Sequence, residues 1–402
     1  MALLLAAPLA APAAAISEDT IGAVAPSRTP PPSRPDPSCT QSYANDAPKR
    51  GPALRFGIGP LLAGSNGAVQ SPSTTIGRAG KRDAALVSLK GRRHLAVRLN
   101  RLFESDGDRG IAHFRYLARD FARLGIDVEL QVRYHPADAE NGNIAKWLSF
   151  VRKVVRTFGP IKRVVALQIT NEVNITFSKN TSDGYYANAV AALVRGVETA
   201  KALSRRLGYR QLAVGFNYAW RFGDPSDANF WRAVGRQGGP LLRRSTDYVG
   251  LDVYPGTYVP PLSSVVNLGD AFLESLAQVR KCFMPLAGFT RRTPMRIDEI
   301  GYPTGPGRPS EAAQAAALAS LVETANSYRG RYNLTDFNWF ALRDNDSRGS
   351  SFQSHFGLLR DDYSPKRAFF TYRELIAKLS NRRQSSRCPD RTDRTAGRVH
   401  EG

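Results

Sequence analysis

The segment Val164-Val-Ala-Leu-Gln-Ile-Thr-Asn-Glu172 decides the fold: it is short, β-rich and apolar until Asn171 and Glu172, as a buried strand with a polar carboxyl end should be. Seven further runs of this kind flank it, at Leu54–Pro60, His94–Arg101, Asp127–Tyr134, Gln211–Tyr218, Asp247–Pro255, Met295–Tyr302 and Leu334–Leu342. Stretches of helical period separate them. Ile111, Phe114, Leu117, Phe121 and Leu124 recur at spacings of three and four, and Tyr185, Val190, Leu193, Val194 and Val197 form a second such stripe. Glu311–Thr324 and Arg367–Leu379 close the set. Alternation of strand and helix argues for parallel βα units rather than a sandwich. Eight units predict an α/β chain closed into a (β/α)8 TIM barrel over residues 51–380, with a doubly wound open sheet as the other arrangement this order allows. Residues 61–91 carry Gly, Ser, Thr and Arg where the first helix belongs, so a long or broken first connection is expected.

Both ends read differently. Residues 16–50 include Thr29-Pro-Pro-Pro-Ser-Arg-Pro-Asp-Pro37 and resemble a linker or tail, and residues 381–402 lose the apolar period and read as a disordered tail. Residues 1–15 form a short apolar run ending in small residues, suited to a truncated signal segment and too short to span a bilayer. A secreted or cell-wall-associated protein without a transmembrane segment is therefore expected. Three cysteines, Cys39, Cys282 and Cys388, allow one disulfide and one thiol; a Cys39–Cys388 bridge would tie the two tails together.

The chain has 402 residues, 42% of them hydrophobic, and its 56 Lys and Arg against 35 Asp and Glu give a net charge of +21. That is enough apolar material for one large core. The basic residues are scattered and mostly Arg, without a compact run interleaved with aromatics, so nucleic acid is not the expected partner. An acidic or wall-associated glycan fits the charge better.

In such a barrel the carboxyl ends of the strands carry the chemistry. Strand four ends in Asn171-Glu172, and strand seven, Arg296-Ile-Asp-Glu-Ile-Gly-Tyr302, places Glu299 at the same rim. Cleavage of a glycosidic bond needs such a pair: one carboxyl holds a proton for the leaving oxygen while the other, ionised, attacks the anomeric carbon. Asn171-Glu172 after strand four and Glu299 in Asp298-Glu-Ile-Gly-Tyr302 resemble the signature of the clan of retaining β-glycosidases on (β/α)8 barrels, clan A. The resemblance covers about residues 54–379. It implies that Glu172 is the acid/base, Glu299 the nucleophile, and Asn171 a ligand of the sugar 2-hydroxyl. It further implies that Arg98 or Arg101 keeps the nucleophile ionised, that Tyr254 bonds it, that Trp339 is the platform under the sugar, and that His135 binds substrate. Period-two alternation puts Arg98 and Arg101 on opposite sides of strand two, so only the inward one is the candidate. Val173-Asn174 after the Asn-Glu pair, and Asp252-Val-Tyr254 without a His, depart from the clan pattern and leave the family open.

Other chemistries lack their residues. The histidines, at 94, 113, 135, 355 and 400, make no metal-binding spacing, and no Gly-x-Ser-x-Gly occurs. Gly57-Ile-Gly59 lacks the third glycine of a dinucleotide loop. The expectation is a monomeric hydrolase of a β-linked polysaccharide or oligosaccharide, working by double displacement without metal or organic cofactor. A non-catalytic glycan- or wall-binding barrel is the competing reading.

Overall fold

The structure, a computed structural model, describes residues 45–60, 78–179, 181–221, 225–258 and 268–380. Eight parallel strands close into a barrel in chain order: β1 (Arg55–Ile58), β2 (Ala96–Phe103), β3 (Asp127–Arg133), β4 (Val164–Ile169), β5 (Ala213–Ala219), β6 (Tyr248–Asp252), β7 (Met295–Ile300) and β8 (Leu334–Trp339). Closure is made by β1 pairing β8, with Phe56 opposite Phe337 and Ile58 opposite Trp339. The open sheet is thereby excluded. Helices α1 (Ala79–Lys90), α2 (Gly107–Arg123), α3 (Ile144–Phe158), α4 (Ala189–Arg206), α5 (Pro225–Ser245), α6 (Leu268–Gln278), α7 (Glu311–Tyr332) and α8 (Arg367–Leu379) cover the outside.

The helices bury the stripes their periodicity announces. Ile111, Phe114, Leu117 and Phe121 of α2 face the core, as do Leu193, Val194 and Val197 of α4. The side chain of Asn143 caps α3 by accepting from Lys146 N, and Ser310 caps α7 by accepting from Ala313 N. The first connection is less irregular than expected: α1 fills residues 79–90, and only residues 61–77 of the 61–91 stretch lie outside the described residues.

Two expectations about the ends need correction. Part of the segment read as linker is fixed to the barrel: Asp46 pairs with Lys281 at 2.6 Å and accepts from the Tyr332 hydroxyl at 2.6 Å, and Gly330 N donates to Lys49 O at 2.8 Å. A buried tyrosine hydroxyl and a lysine give this segment specific partners, which a Pro-rich composition does not reveal. Cys282 is disulfide-bonded, so it is not the leftover thiol of a Cys39–Cys388 pairing; both of those cysteines lie outside the described residues. Among the described residues no helix is long and apolar enough to cross a membrane.

Barrel interiors of this type are usually filled by branched apolar side chains. Here the lumen is polar. Arg296 lies 3.2 Å from Glu129 and 3.1 Å from Asp336, and stacks over the Tyr248 ring at 3.7 Å. Asn338 donates to Glu129 at 3.3 Å and to Ile297 O at 3.1 Å. Two glycines make room for these groups: a Cβ on Gly57 would stand 1.8 Å from Asn338 Oδ1, and one on Gly250 would stand 2.0 Å from Asp298 Oδ2. Both oxygens belong to short side chains locked in a closed cylinder, which leaves them little room to retreat. Gly250→Ala is therefore expected to cost about 1–3 kcal/mol, as overpacking does. An unchanged midpoint in chemical denaturation would contradict this lumen packing.

Candidate active site

The site begins where β4 stops. Thr170 and Glu172 take φ of 64° and 47°, a left-handed region that non-glycine residues enter at a cost of about 1–3 kcal/mol each. Three backbone hydrogen bonds hold this turn: Thr170 N to Val132 O at 2.8 Å, Asn171 N to Asp183 Oδ2 at 2.9 Å, and Glu172 N to Asn217 Oδ1 at 2.9 Å. Asp183 is in turn fixed by Arg133 at 2.6 Å. The Val173-Asn174 departure has a local use, because Asn174 clips the loop to β5 by bonding both Ala219 N, at 3.1 Å, and Ala219 O, at 2.7 Å.

This turn sends Asn171 into a buried web of amides. Its Oδ1 accepts from Gln131 at 2.7 Å, Asn217 at 2.8 Å and Gln168 at 3.2 Å, while its Nδ2 donates to Thr181 O at 2.9 Å. Among the described residues the second amide N–H of Asn171 has no acceptor, which leaves it for a ligand.

Glu299 sits opposite, where a register shift between Ile297 and Ile300 interrupts β7. Arg98 Nη1 donates to its Oε1 at 3.0 Å and the Tyr254 hydroxyl to its Oε2 at 2.9 Å, so both carboxyl oxygens are held by donors. Arg98 also bonds Gln168 Oε1 of β4 and is almost fully buried. Glu172 has a contrasting environment: its carboxyl accepts from the Ser182 hydroxyl at 3.0 Å, and burial followed by the charge of Glu299 pushes it up to about 7. Asp252, at the end of β6, completes a trio whose carboxyl oxygens lie within 4.8 Å of one another.

Three carboxyls at such spacing have the reach to hold a cation, but the donor set here does not suit one. The Arg98 guanidinium and the Tyr254 hydroxyl already occupy Glu299, and an Asn217 N–H occupies Asp252. Glu172 and Asp252 are both shifted toward the protonated form, which binds metal poorly.

The structure brings Glu172, Glu299, Asn171, Arg98 and Tyr254 together. It corrects the expectation that Arg98 and Arg101 face opposite ways. A register shift between Leu99 and Leu102, with Arg101 at φ 71°, breaks the alternation of β2. The shift lets Arg101 also feel the charges of Glu299 and Glu172, while burial and neighbouring Arg133 hold it down to about 10. It also places Trp339 away from the platform position: this ring is 1% exposed, with Ile58 and Ile300 as its ladder neighbours. The next residue, Phe340, is half-buried and meets the Tyr254 ring edge-on at 6.3 Å. His135 stacks on Phe103 at 4.3 Å and touches Tyr186 at 5.0 Å; burial and Arg133 push it down to about 4, so it is neutral.

Other residues of the site went unseen in the sequence. Gln168, Asn217 and Asp252 are each the one polar residue of an otherwise apolar strand, a signal that was available, whereas Gln131 sits in a strand that alternates polar and apolar residues and does not stand out. Tyr258 carried none; its hydroxyl is pushed up by burial and by Glu172 and Glu299, and its ring meets Tyr254 at 5.4 Å and Phe352 at 5.7 Å.

No protein-family model and no curated protein matches the chain. Solved structures do. The chain shares the fold of glycosidases. GH5_18 from Bifidobacterium longum subsp. longum superposes with a TM-score of 0.55 at 14% identity, covering 81% of this chain and 79% of that one. The family 1 β-glucosidase from Thermotoga maritima gives 0.55 at 13% identity, covering 84% and 100%. The GH2 β-galacturonidase from Eisenbergiella tayi, bound to galacturonate, gives 0.53 at 15%, covering 83% and 52%.

Asn217 joins Glu172, Asn171 and Asp252 through one amide. Asn217→Ala removes three hydrogen bonds, and Asn171 Oδ1 keeps its donors Gln131 and Gln168 while the Glu172 N–H and Asp252 Oδ2 lose theirs, so about 1–3 kcal/mol of stability is expected to go with them. Thermal or denaturant unfolding measures it; a loss within the error of wild type would contradict the web.

Proposed function

We propose that the chain is a retaining β-glycosidase that cleaves a β-linked polysaccharide or oligosaccharide, with Glu172 as acid/base and Glu299 as nucleophile. The observation that carries this reading is the placement of two glutamates at the ends of β4 and β7 with carboxyl oxygens within 4.8 Å and opposed environments. Retaining enzymes hold their carboxyls about 5–5.5 Å apart, whereas inverting enzymes leave about 6.5–9.5 Å for a water. In the first step Glu299 attacks the anomeric carbon, the glycosidic C–O bond breaks, and Glu172 gives its proton to the leaving oxygen. In the second, Glu172 takes a proton from water, which displaces Glu299 and releases the sugar. Arg98 and Tyr254 hold the nucleophile in position, the second Asn171 N–H meets a sugar hydroxyl, and Phe340 with Tyr258 lines the ring. The apolar run at residues 1–15 extends the proposal to an exported, wall-associated enzyme, which N-terminal sequencing of secreted protein tests.

Glu299→Ala is expected to lower turnover by about a thousandfold or more on every substrate; unchanged turnover, or no hydrolysis of any member of a β-glycan panel by the wild type, would favour the glycan-binding reading instead. Glu172→Ala should spare aryl glycosides with good leaving groups relative to polysaccharides, because such groups need little protonation. Equal losses on both would contradict its acid role. Proton NMR of the first-formed product should show retained β configuration.

The pH dependence follows from Glu172. A carboxyl raised to about 7 keeps its proton below that pH and loses it above, so kcat/KM should fall as pH climbs through about 7. In Glu172→Gln this limb should vanish from whatever activity remains.

A further inference from the structure

Double displacement uses two of the three clustered carboxyls and leaves Asp252 without a task. Its side chain is 1% exposed, with oxygens within 4.8 Å of those of Glu172 and Glu299. Asn217 Nδ2 donates to its Oδ2. Its Oδ1 is sealed from solvent and has no hydrogen-bond partner among the described residues. A desolvated carboxylate with a bare oxygen is strongly disfavoured relative to its neutral form. The groups facing it offer little relief: Glu172 from the end of β4, Asp298 and Glu299 from β7, and from β2 the guanidinium of Arg98, which is bonded to Glu299 and Gln168. From β5 it meets the neutral amide of Asn217.

We propose that Asp252 is a neutral positioning residue whose Oδ1–H donates to the hydroxylic oxygen, of substrate or of the attacking water, that comes between the two glutamates during turnover. The proton belongs on Oδ1 because Oδ2 already accepts from Asn217. One carboxyl oxygen from each of Asp252, Glu172 and Glu299 lies within 4.8 Å of the other two, a spacing that a single hydroxylic oxygen can bridge, since hydroxyl-to-carboxyl hydrogen bonds run about 2.7–2.8 Å. Burial and then Glu299 push the Asp252 carboxyl well above the usual range, in the direction this geometry requires. No bond is made or broken at Asp252, and it returns from each cycle with its proton.

The kinetic part of the test rests on the glycosidase reading, and the spectroscopic part does not. Asp252→Asn keeps the shape and offers an amide N–H in place of the hydroxyl; Asp252→Val keeps the volume and removes the donor. With the full chain at about pH 6, chosen below the range in which Glu172 titrates, the isotope-edited infrared difference between wild type and Asp252→Asn is expected to show the C=O stretch of a protonated aspartic acid. On aryl β-glycosides, Asp252→Asn should stay within about threefold of wild-type kcat with its alkaline limb unmoved, and Asp252→Val should lose about tenfold or more in kcat. Absence of the infrared band overturns the proposal. So does a limb displaced to lower pH in Asp252→Asn, because an ionised Asp252 would have been holding the Glu172 proton on. Should Asp252→Val fail to fold, the band and the limb still decide. A chain that hydrolyses no glycoside would sink the function while the infrared result settled the protonation of Asp252 by itself.

Discussion

The guanidinium of Arg98 is the constraint around which the site is arranged. It is a desolvated cation inside the barrel, and it is tolerable there because Glu299 of β7 and Gln168 of β4 both accept from it. Those two bonds tie strand two to the strands that carry the glutamates. Once the cation is fixed, Glu299 is held by two donors, while Glu172 is raised first by burial and then by the charge of Glu299. Different surroundings thus set two chemically identical groups apart, which is how a single fold can place an acid beside a base.

Around this charge the barrel uses amides. Gln131, Gln168, Asn171 and Asn217 link β3, β4 and β5 through bonds that orient polar atoms without adding ions to a low-dielectric interior. Asn217 matters most in this respect, since the same side chain accepts from the backbone of Glu172 and donates toward Asn171 and Asp252. The positive φ of Thr170 and Glu172 is sustained by these bonds and by Asp183, so the strained turn and the polar web support each other. A polar lumen of this kind gives up apolar burial in the barrel, and the helices recover it outside, where Trp147, Trp231, Phe114 and Tyr372 are fully buried.

The fold was legible because it is repeated. Eight apolar runs separated by helical stripes leave few topologies, and right-handed parallel units select among them. The two glutamates were legible because each ends an apolar run at the rim that bears function. Arg98 and Tyr254 were candidates, yet their bonds to Glu299 depend on the closure of the barrel. The lone polar residues within strands four to six were visible as letters. Their joint meaning was not, because amides from three strands become one web only after the strands are laid side by side.

Local pattern thus determined where strands and helices fall, which residues end the strands, and which carboxyls share a rim, since all of these follow from periodicity along the chain. Tertiary structure alone decided what breaks periodicity. The bulge in β2 broke the parity that would separate Arg101 from Arg98, and register at the end of β8 gave the cleft Phe340 in place of Trp339. It also brought Asp252 within reach of two other carboxyls and left one of its oxygens unpartnered among the described residues. Such outcomes depend on how many residues each neighbouring strand spends before it turns, a quantity no strand encodes by itself.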